Sequence, residues 1–283
     1  MIDTYRQGGR HDNWLQPRWE YMHYHPLFDE SLRIAFSSTG GWESDGTIVA
    51  LVHFEHRPGK YFFQVHPDFV HLKLEMLEYA EAYLSVPTND EKRGIAVWVN
   101  DFDAELESIV SGHGYHLVEG AKDFWSIFEM RDPFPAVKLP DGFHLQSLAD
   151  ANDLNKLHRV LHRGFDNPGE PPADGLAGRK RVQSAPNYRK DLSIVAVAPD
   201  GAYASYCGMW QDHVNTVAYV EPVCTDPDYR RMGLGTAVVL EGIRRCGAEG
   251  ATIAVLGSEQ PFYMSMGFKK LFDINLWARE WEI

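Results

Sequence analysis

The sequence has few cysteines, no long hydrophobic run and a deficit of basic side chains. Its three cysteines, Cys207, Cys224 and Cys246, are odd in number and show no Cys-x-x-Cys spacing, which argues against a disulfide framework or a cysteine zinc site. No apolar run approaches the ~20 residues of a membrane span. The N-terminal stretch MIDTYRQGGRHDNW also has no apolar run of the kind that a signal peptide needs. These absences predict a soluble, cytoplasmic protein without a membrane partner.

Acidic residues outnumber basic residues in the chain. Lys and Arg number 27 against 40 Asp and Glu, which gives a formal net charge of −13. A negative surface of that size repels phosphate backbones and attracts cations, so we expect no nucleic-acid partner and favour a cationic small molecule. The length of 283 residues predicts about two domains at roughly 150 residues each.

The two halves of the chain repeat one order of sequence patterns. In each half, strand-like runs precede a helical stretch and then a glycine-aromatic pair. The motif Pro67-Asp68-Phe69 aligns with Pro227-Asp228-Tyr229, and Gly114-Tyr115 aligns with Gly267-Phe268. Prolines and a glycine interrupt regular structure between 131 and 142. We therefore predict two tandem α/β domains with mixed sheets, over residues 1–135 and 140–283.

The pattern of the second half predicts its elements in detail. Apolar spacing indicates helices over 152–165 and 234–248, and a short helix over 260–266. Strand-like runs cover 192–198, 202–210, 216–225 and 251–257. The stretch 166–175, with three prolines and two glycines, predicts a loop.

The motif Arg230-Arg231-Met232-Gly233-Leu234-Gly235-Thr236 lies between a predicted strand and a predicted helix. Glycines allow a ligand to approach the backbone, and the free N–H groups of a helix N-terminus favour an anion. The motif therefore predicts a phosphate or pyrophosphate site, with a plain strand-to-helix turn as the alternative. It is neither a dinucleotide fingerprint, since Val238 stands where the third glycine is needed, nor a P-loop.

This motif resembles the signature of the GNAT superfamily of acyl-CoA-dependent N-acyltransferases. Arg230, Gly233 and Gly235 match its Q/R-x-x-G-x-G/A pattern after the fourth strand, and residues 261–268 match an aromatic-rich helix that ends in Gly-Phe. The resemblance covers roughly 140–283 and implies the GNAT fold, with acetyl-CoA as co-substrate. The first half resembles a degenerate GNAT domain, because Val70, Lys73 and Glu75 stand at the aligned signature positions. The tandem arrangement is similar to that of mycothiol synthase-like enzymes.

The resemblance also implies roles for particular residues. Tyr263 matches the family tyrosine that protonates the departing thiolate, with packing of the helix as its alternative role. Glu221 is the favoured general base, with His158 and His162 as competitors. Backbone amides of 231–236 would bind the pyrophosphate, strand residues 223–225 would pair with the pantetheine arm, and Ser258 stands where many relatives have asparagine. The cofactor-binding residues are thus Val223, Cys224, Thr225, Arg230, Arg231, Met232, Gly233, Leu234, Gly235, Thr236 and Ser258.

The function implied is transfer of an acetyl group from acetyl-CoA to a primary amine of a small molecule by direct attack. A non-catalytic acyl-CoA-binding sensor or scaffold is the alternative. No metal is expected, because Arg159 follows His158 where an HExxH motif needs glutamate. Aromatic residues of the first half would line the acceptor cleft or pack in the core, and the chain would be a monomer or homodimer. These aromatic residues are Trp14, Trp19, Tyr21, Tyr24 and Trp42.

Overall fold

The computed structural model describes residues 14–55 and 57–282, which divide into two compact units. Unit 1 holds the described residues of Met1–Met22, Leu27–Trp125 and Leu271–Ile283, and unit 2 holds His23–Pro26 and Ser126–Lys270. The chain therefore passes from one unit to the other at Trp125/Ser126 and returns at Lys270/Leu271. These units differ from the contiguous halves 1–135 and 140–283 that the repeat predicts.

The elements of the first half follow the chain in this order. The helices are α1 (Gln16–Tyr24), α2 (Glu30–Phe36), α3 (Lys73–Leu84) and α4 (Ala104–Gly112), and a 3-10 helix covers Pro67–Leu72. The strands are β1 (Gly41–Ser44), β2 (Thr47–His53), β3 (Lys60–Val65), β4 (Val86–Pro87), β5 (Lys92–Asn100) and β6 (His116–Glu129). The strand-like runs and the helical stretch that the sequence predicts for this half correspond to β2, β3 and α3, whereas α1 and α2, whose apolar spacing is weak, were not predicted.

The second half begins with β7 (His144–Ser147), α5 (Leu154–Gly164) and α6 (Gly175–Val182). Strands β8 (Ile194–Val197), β9 (Tyr203–Asp212) and β10 (Val217–Thr225) follow, and then a 3-10 helix at Pro227–Tyr229. The chain ends with α7 (Leu234–Ala248), β11 (Ile253–Leu256), α8 (Pro261–Ser265) and β12 (Lys269–Glu282). Each predicted element of this half is present, and α6 is an unpredicted helix that begins at the last residue of the predicted loop.

In unit 1, β2 pairs antiparallel with β1 and β3, and β3 pairs parallel with β5. The C-terminal strand β12 then pairs antiparallel with β5, from Ile274↔Asn100 to Glu282↔Lys92. This long ladder is the reason that the C-terminal segment belongs to unit 1. Neither strand carries a local signal of its partner, because about 180 residues separate them in the sequence.

In unit 2, β7, β8, β9 and β10 pair antiparallel in sequence order, and β10 pairs parallel with β11. The last four residues of β6 pair antiparallel with β11. Helix α5 packs on one face of the sheet through Leu157, Val160 and Leu161. Helix α7 packs on the other face, where Val238 and Ile243 join the largest core cluster. Helices α5 and α7 therefore cover both faces of the sheet around β10.

The order of elements confirms the repeat. Pro67 begins the 3-10 helix after β3, and Pro227 begins the one after β10. Gly114 and Gly267 both take a positive φ, +79° and +109°, just after the helices α4 and α8. No helix among the described residues is long and apolar enough to cross a membrane.

Candidate functional site

A cleft opens in unit 2 where β10 and β11 stop pairing. Their parallel register holds for three pairs, the last of which is Tyr219↔Val255. Strand β11 ends one residue later, at Leu256, whereas β10 continues to Thr225. The end of β10 beyond Tyr219 therefore runs along an open edge of the sheet, where an extended ligand could pair with its backbone.

A β-bulge fixes Glu221 at the mouth of this cleft. The register with β9 shifts from Val220↔Met209 to Val223↔Cys207, so that Glu221 and Pro222 both face Gly208. A Cβ atom on Gly208 would lie 2.7 Å from the Glu221 carbonyl oxygen, so only glycine fits there. The indole N–H of Trp210 donates to that same carbonyl at 3.1 Å. The backbone of the bulge is thus held by its neighbours on β9.

The carboxylate of Glu221 is also held in place. The hydroxyl of Tyr219 donates to its Oε2 atom, and Tyr219 is fully buried at the last parallel pair. The side chain of Glu221 is half-buried. A carboxylate in this position can accept a proton from a group that enters the cleft.

The glycine motif forms the turn into α7. Arg231 and Gly233 have positive φ values, +64° and +81°, and Gly233 is the residue just before the helix. The space next to its Cα is open, whereas a Cβ on Gly235 would lie 3.0 Å from the Phe262 ring. No side chain of the described residues caps α7. Its first N–H groups can therefore bind an anion, as the sequence motif predicts.

A buried carboxylate caps the 3-10 helix Pro227–Tyr229 that precedes this turn. The side chain of Asp226 has no exposed surface and accepts hydrogen bonds from Arg163 Nε at 2.7 Å and Arg159 Nη1 at 3.2 Å. Its Oδ1 accepts from the backbone N–H of Asp228. Burial raises the pKa of Asp226, but these hydrogen bonds and charges outweigh burial and hold the pKa below its usual value.

Tyr263 lies in α8. Its ring contacts Phe262 and Phe268 at centroid distances of 4.8 and 5.9 Å. The structure shows no hydrogen bond from its hydroxyl to another described residue. Burial, followed by the charges of Cys207, Glu221 and Cys224, raises the pKa of Tyr263 well above its ordinary value. The hydroxyl therefore keeps its proton at neutral pH, and the structure brings it into the electrostatic neighbourhood of Glu221.

The other predicted cofactor-binding residues differ in their exposure. Arg231 and Met232 are exposed, while Val223, Thr225, Thr236 and Ser258 are half-buried. Cys224 and Leu234 are buried. The side chain of Arg230 instead joins the loop after α5, donating to the Gly164 carbonyl at 3.1 Å and to Asp166 at 2.8 Å. Sequence reasoning did not find this structural role.

The two histidines that compete with Glu221 are bonded to the loop after α5. His158 is buried and contacts the Pro172 carbonyl at 2.9 Å and Arg179 at 3.4 Å. His162 contacts the Pro168 carbonyl at 3.2 Å. Within residues 14–55 and 57–282, no group of three or more His, Cys, Asp or Glu side chains could hold a metal ion.

Unit 1 differs from unit 2 at the positions aligned with the glycine motif. Lys73, the first residue of α3, is buried and pairs with Asp103 at 2.7 Å and Glu105 at 3.0 Å. Glu75 accepts a hydrogen bond from the Trp42 indole. Of the aromatic residues suggested for an acceptor cleft, Trp14 and Tyr21 are buried core residues of unit 1. For these two, the packing alternative is therefore the correct one.

Part of the sequence matches a family model, and the fold is similar to those of solved structures. Residues 156–268 match the model of the acetyltransferase (GNAT) family. A GCN5-related N-acetyltransferase from Sphaerobacter thermophilus shares 17% identity, covers 83% of this chain and 78% of its own, and has a TM-score of 0.60. A tandem GNAT protein from the clavulanic acid biosynthesis pathway shares 14% identity, covers 99% and 93%, and has a TM-score of 0.62. No curated protein sequence matches the chain.

The fold is therefore that of a tandem GNAT protein, as the sequence predicts. The segment that matches the GNAT acetyltransferase family model, residues 156–268, lies wholly within unit 2. This match supports an acyltransferase function for the chain. The similarity in organisation to mycothiol synthase-like enzymes stays a prediction.

Proposed function

We propose that unit 2 transfers an acetyl group from acetyl-CoA to the primary amine of a small molecule. The observation that carries this proposal is the early end of the β10–β11 ladder, which is followed by the glycine turn into α7. Gly233 leaves open space at that turn, and Glu221 lies two residues beyond the last parallel pair.

The residues present fit a molecule with a pyrophosphate and an extended amide arm. Positive φ at Arg231 and Gly233 turns the backbone so that the N–H groups of 231–236 can bind the pyrophosphate. The unpaired edge of β10, at Val223, Cys224 and Thr225, can hydrogen-bond to the amides of the pantetheine arm. Acetyl-CoA, when bound, supplies the thioester whose acyl carbon is attacked.

Two proton transfers accompany the reaction, and a third, from Glu221 through solvent to the Tyr263 phenolate, restores both groups. Glu221 accepts a proton from the amine, whose nitrogen forms a new bond to the acyl carbon. The carbon–sulfur bond breaks, and Tyr263 donates its proton to the departing sulfur. The raised pKa of Tyr263 keeps this proton available at neutral pH. The products are an amide and the free thiol of CoA.

The cysteines do not support a covalent acyl-enzyme. Burial raises the pKa of Cys224 and of Cys246 to about 12, and it raises the pKa of Cys207 well above its usual range. Such a thiol stays protonated at pH 7 and is a poor nucleophile. Direct attack by the amine is therefore the preferred path. The net charge of −13 favours a cationic acceptor such as an amino-sugar or polyamine.

The test combines binding and turnover in the full chain. Isothermal titration with acetyl-CoA measures the donor site, and release of free thiol over a panel of amines measures transfer. We expect tight binding and thiol release that depends on at least one amine, with the acetylated amine identified by mass spectrometry. Binding without amine-dependent release across a broad panel would favour the sensor alternative, and absence of binding would refute the proposal.

A further inference from the structure

Unit 1 contains a second cleft of the same design, and we propose that the protein's own Trp14 fills it as an internal ligand. The cleft would thereby be converted from a ligand site into part of the core of unit 1. The proposal stands on contacts within unit 1 alone, so it holds whether or not unit 2 transfers acetyl groups.

The cleft follows from the strand register. As in unit 2, the parallel pairing of β3 with β5 holds for three pairs, and it ends at Phe62↔Trp98. Strand β3 continues to Val65, and β5 continues to Asn100. A small pocket of about 30 Å³ remains beside Trp14 where the two strands separate. Its lining includes Phe62, Gln64, Trp98 and Trp125.

Trp14 lies in this cleft as a ligand would. Its side chain lines the pocket and is only 4% exposed. The indole ring lies 4.3 Å from Phe62 and meets Trp125 edge-on at 6.4 Å. Its backbone N–H donates to the side-chain oxygen of Gln64, which is two residues beyond the last parallel pair. Phe62, Gln64 and Trp125, which contact Trp14, all line the pocket.

Arg18, four residues further along the chain, also contacts the Trp14 indole. Its guanidinium lies 4.8 Å above the Trp14 ring and 5.3 Å above the Trp125 ring. Glu55 fixes the guanidinium through two hydrogen bonds of 2.7 and 2.8 Å, and both charged groups are buried. This bidentate pair gives Arg18 a fixed position above the rings.

Charged side chains of unit 1 lie at the end of the cleft that aligns with the glycine turn of unit 2. The ammonium of Lys73, at the start of α3, lies between Asp103 and Glu105. These groups carry two negative charges against one positive charge, so they disfavour a pyrophosphate. The class of ligand that fits the cleft without Trp14 is therefore a neutral, planar aromatic molecule of indole size.

The experiment removes the Trp14 indole by mutation and then adds free indole to the solution. Trp14→Ala should lower the melting temperature of the full chain by about 10 °C, because truncation of a buried tryptophan leaves a large cavity. Free indole at about ten times its Kd should then raise the melting temperature of this variant by about 3 °C. Trp19→Ala is the control, because Trp19 lies five residues further along the chain in α1 and packs on His53 and Phe36.

Indole should leave the melting temperatures of the wild-type chain and of Trp19→Ala unchanged. Equal stabilisation of all three proteins, or none of Trp14→Ala, would overturn the proposal. Wild-type stability of Trp14→Ala would overturn it as well. If Trp14→Ala does not fold, Trp14→Leu is tested with benzene as the probe, since leucine keeps part of the apolar volume. The same selective rise is expected there, and its absence would count against Trp14 as the occupant.

Discussion

Replacing Tyr263 by phenylalanine removes one hydroxyl from the proposed site and little else. The ring keeps its contacts with Phe262 and Phe268. The hydroxyl makes no hydrogen bond to another residue of the described chain, so its removal leaves no buried partner unsatisfied. We therefore expect the melting temperature of Tyr263→Phe to stay within about 2 °C of wild type.

Activity should respond very differently. The proton of Tyr263 is needed when negative charge develops on sulfur, and interactions made mainly in the transition state affect turnover more than ground-state binding. General acid catalysis is worth about 10²–10⁴-fold, so kcat should fall within or near that range. The Kd for acetyl-CoA should change by less than about threefold. Thiol release and isothermal titration measure the two quantities on the same protein.

A distant tyrosine supplies the control. Tyr79→Phe removes a hydroxyl that donates to the Ser38 carbonyl in unit 1, and it should leave both kcat and Kd unchanged. If Tyr263→Phe keeps wild-type turnover on an amine whose chemical step limits the rate, Tyr263 is not the acid. Its role is then packing of α8.

Three further variants test other parts of the site. Glu221→Gln should lower kcat/KM about 10²-fold without a change in acetyl-CoA affinity, and unchanged kinetics would remove Glu221 as the base. Gly233→Asn should fold, since asparagine tolerates a positive φ, yet lose acetyl-CoA affinity at least tenfold in titrations because its side chain enters the open space. Asp226→Asn should cost about 2 kcal/mol in urea unfolding at pH 7. Because the folded pKa of Asp226 lies below its unfolded value, this contribution is present above pH ~4 and is lost as the pH falls through the folded pKa. If the stability loss of Asp226→Asn stays constant down to pH 2, the stabilising role of the Asp226 carboxylate is contradicted.

Local patterns were sufficient to predict much of unit 2. The glycine motif and the apolar spacing after it predicted helix 234–248, which the structure has with the same bounds. A β-branched run predicted β10, and the Gly-Phe pair marked the end of α8. In each case the determining residues are neighbours in sequence, so the physical cause is visible in a short window.

The features that sequence reasoning missed depend on distant residues. The ladder between β12 and β5 joins segments that no short pattern relates, and it places 271–282 in unit 1. The β-bulge at Glu221 depends on Gly208 and Trp210 of the neighbouring strand. The ion pair of Arg230 with Asp166 likewise joins residues 64 positions apart. Such features arise from tertiary packing, which a motif does not contain.

We propose that the chain has one acyl-CoA site and that this site lies in unit 2. The decisive measurement is isothermal titration of the full chain with acetyl-CoA, with Gly233→Asn measured alongside. We expect a stoichiometry of one per chain for wild type and a binding isotherm at least tenfold weaker for Gly233→Asn. A stoichiometry of two, or full affinity in the variant, would contradict it.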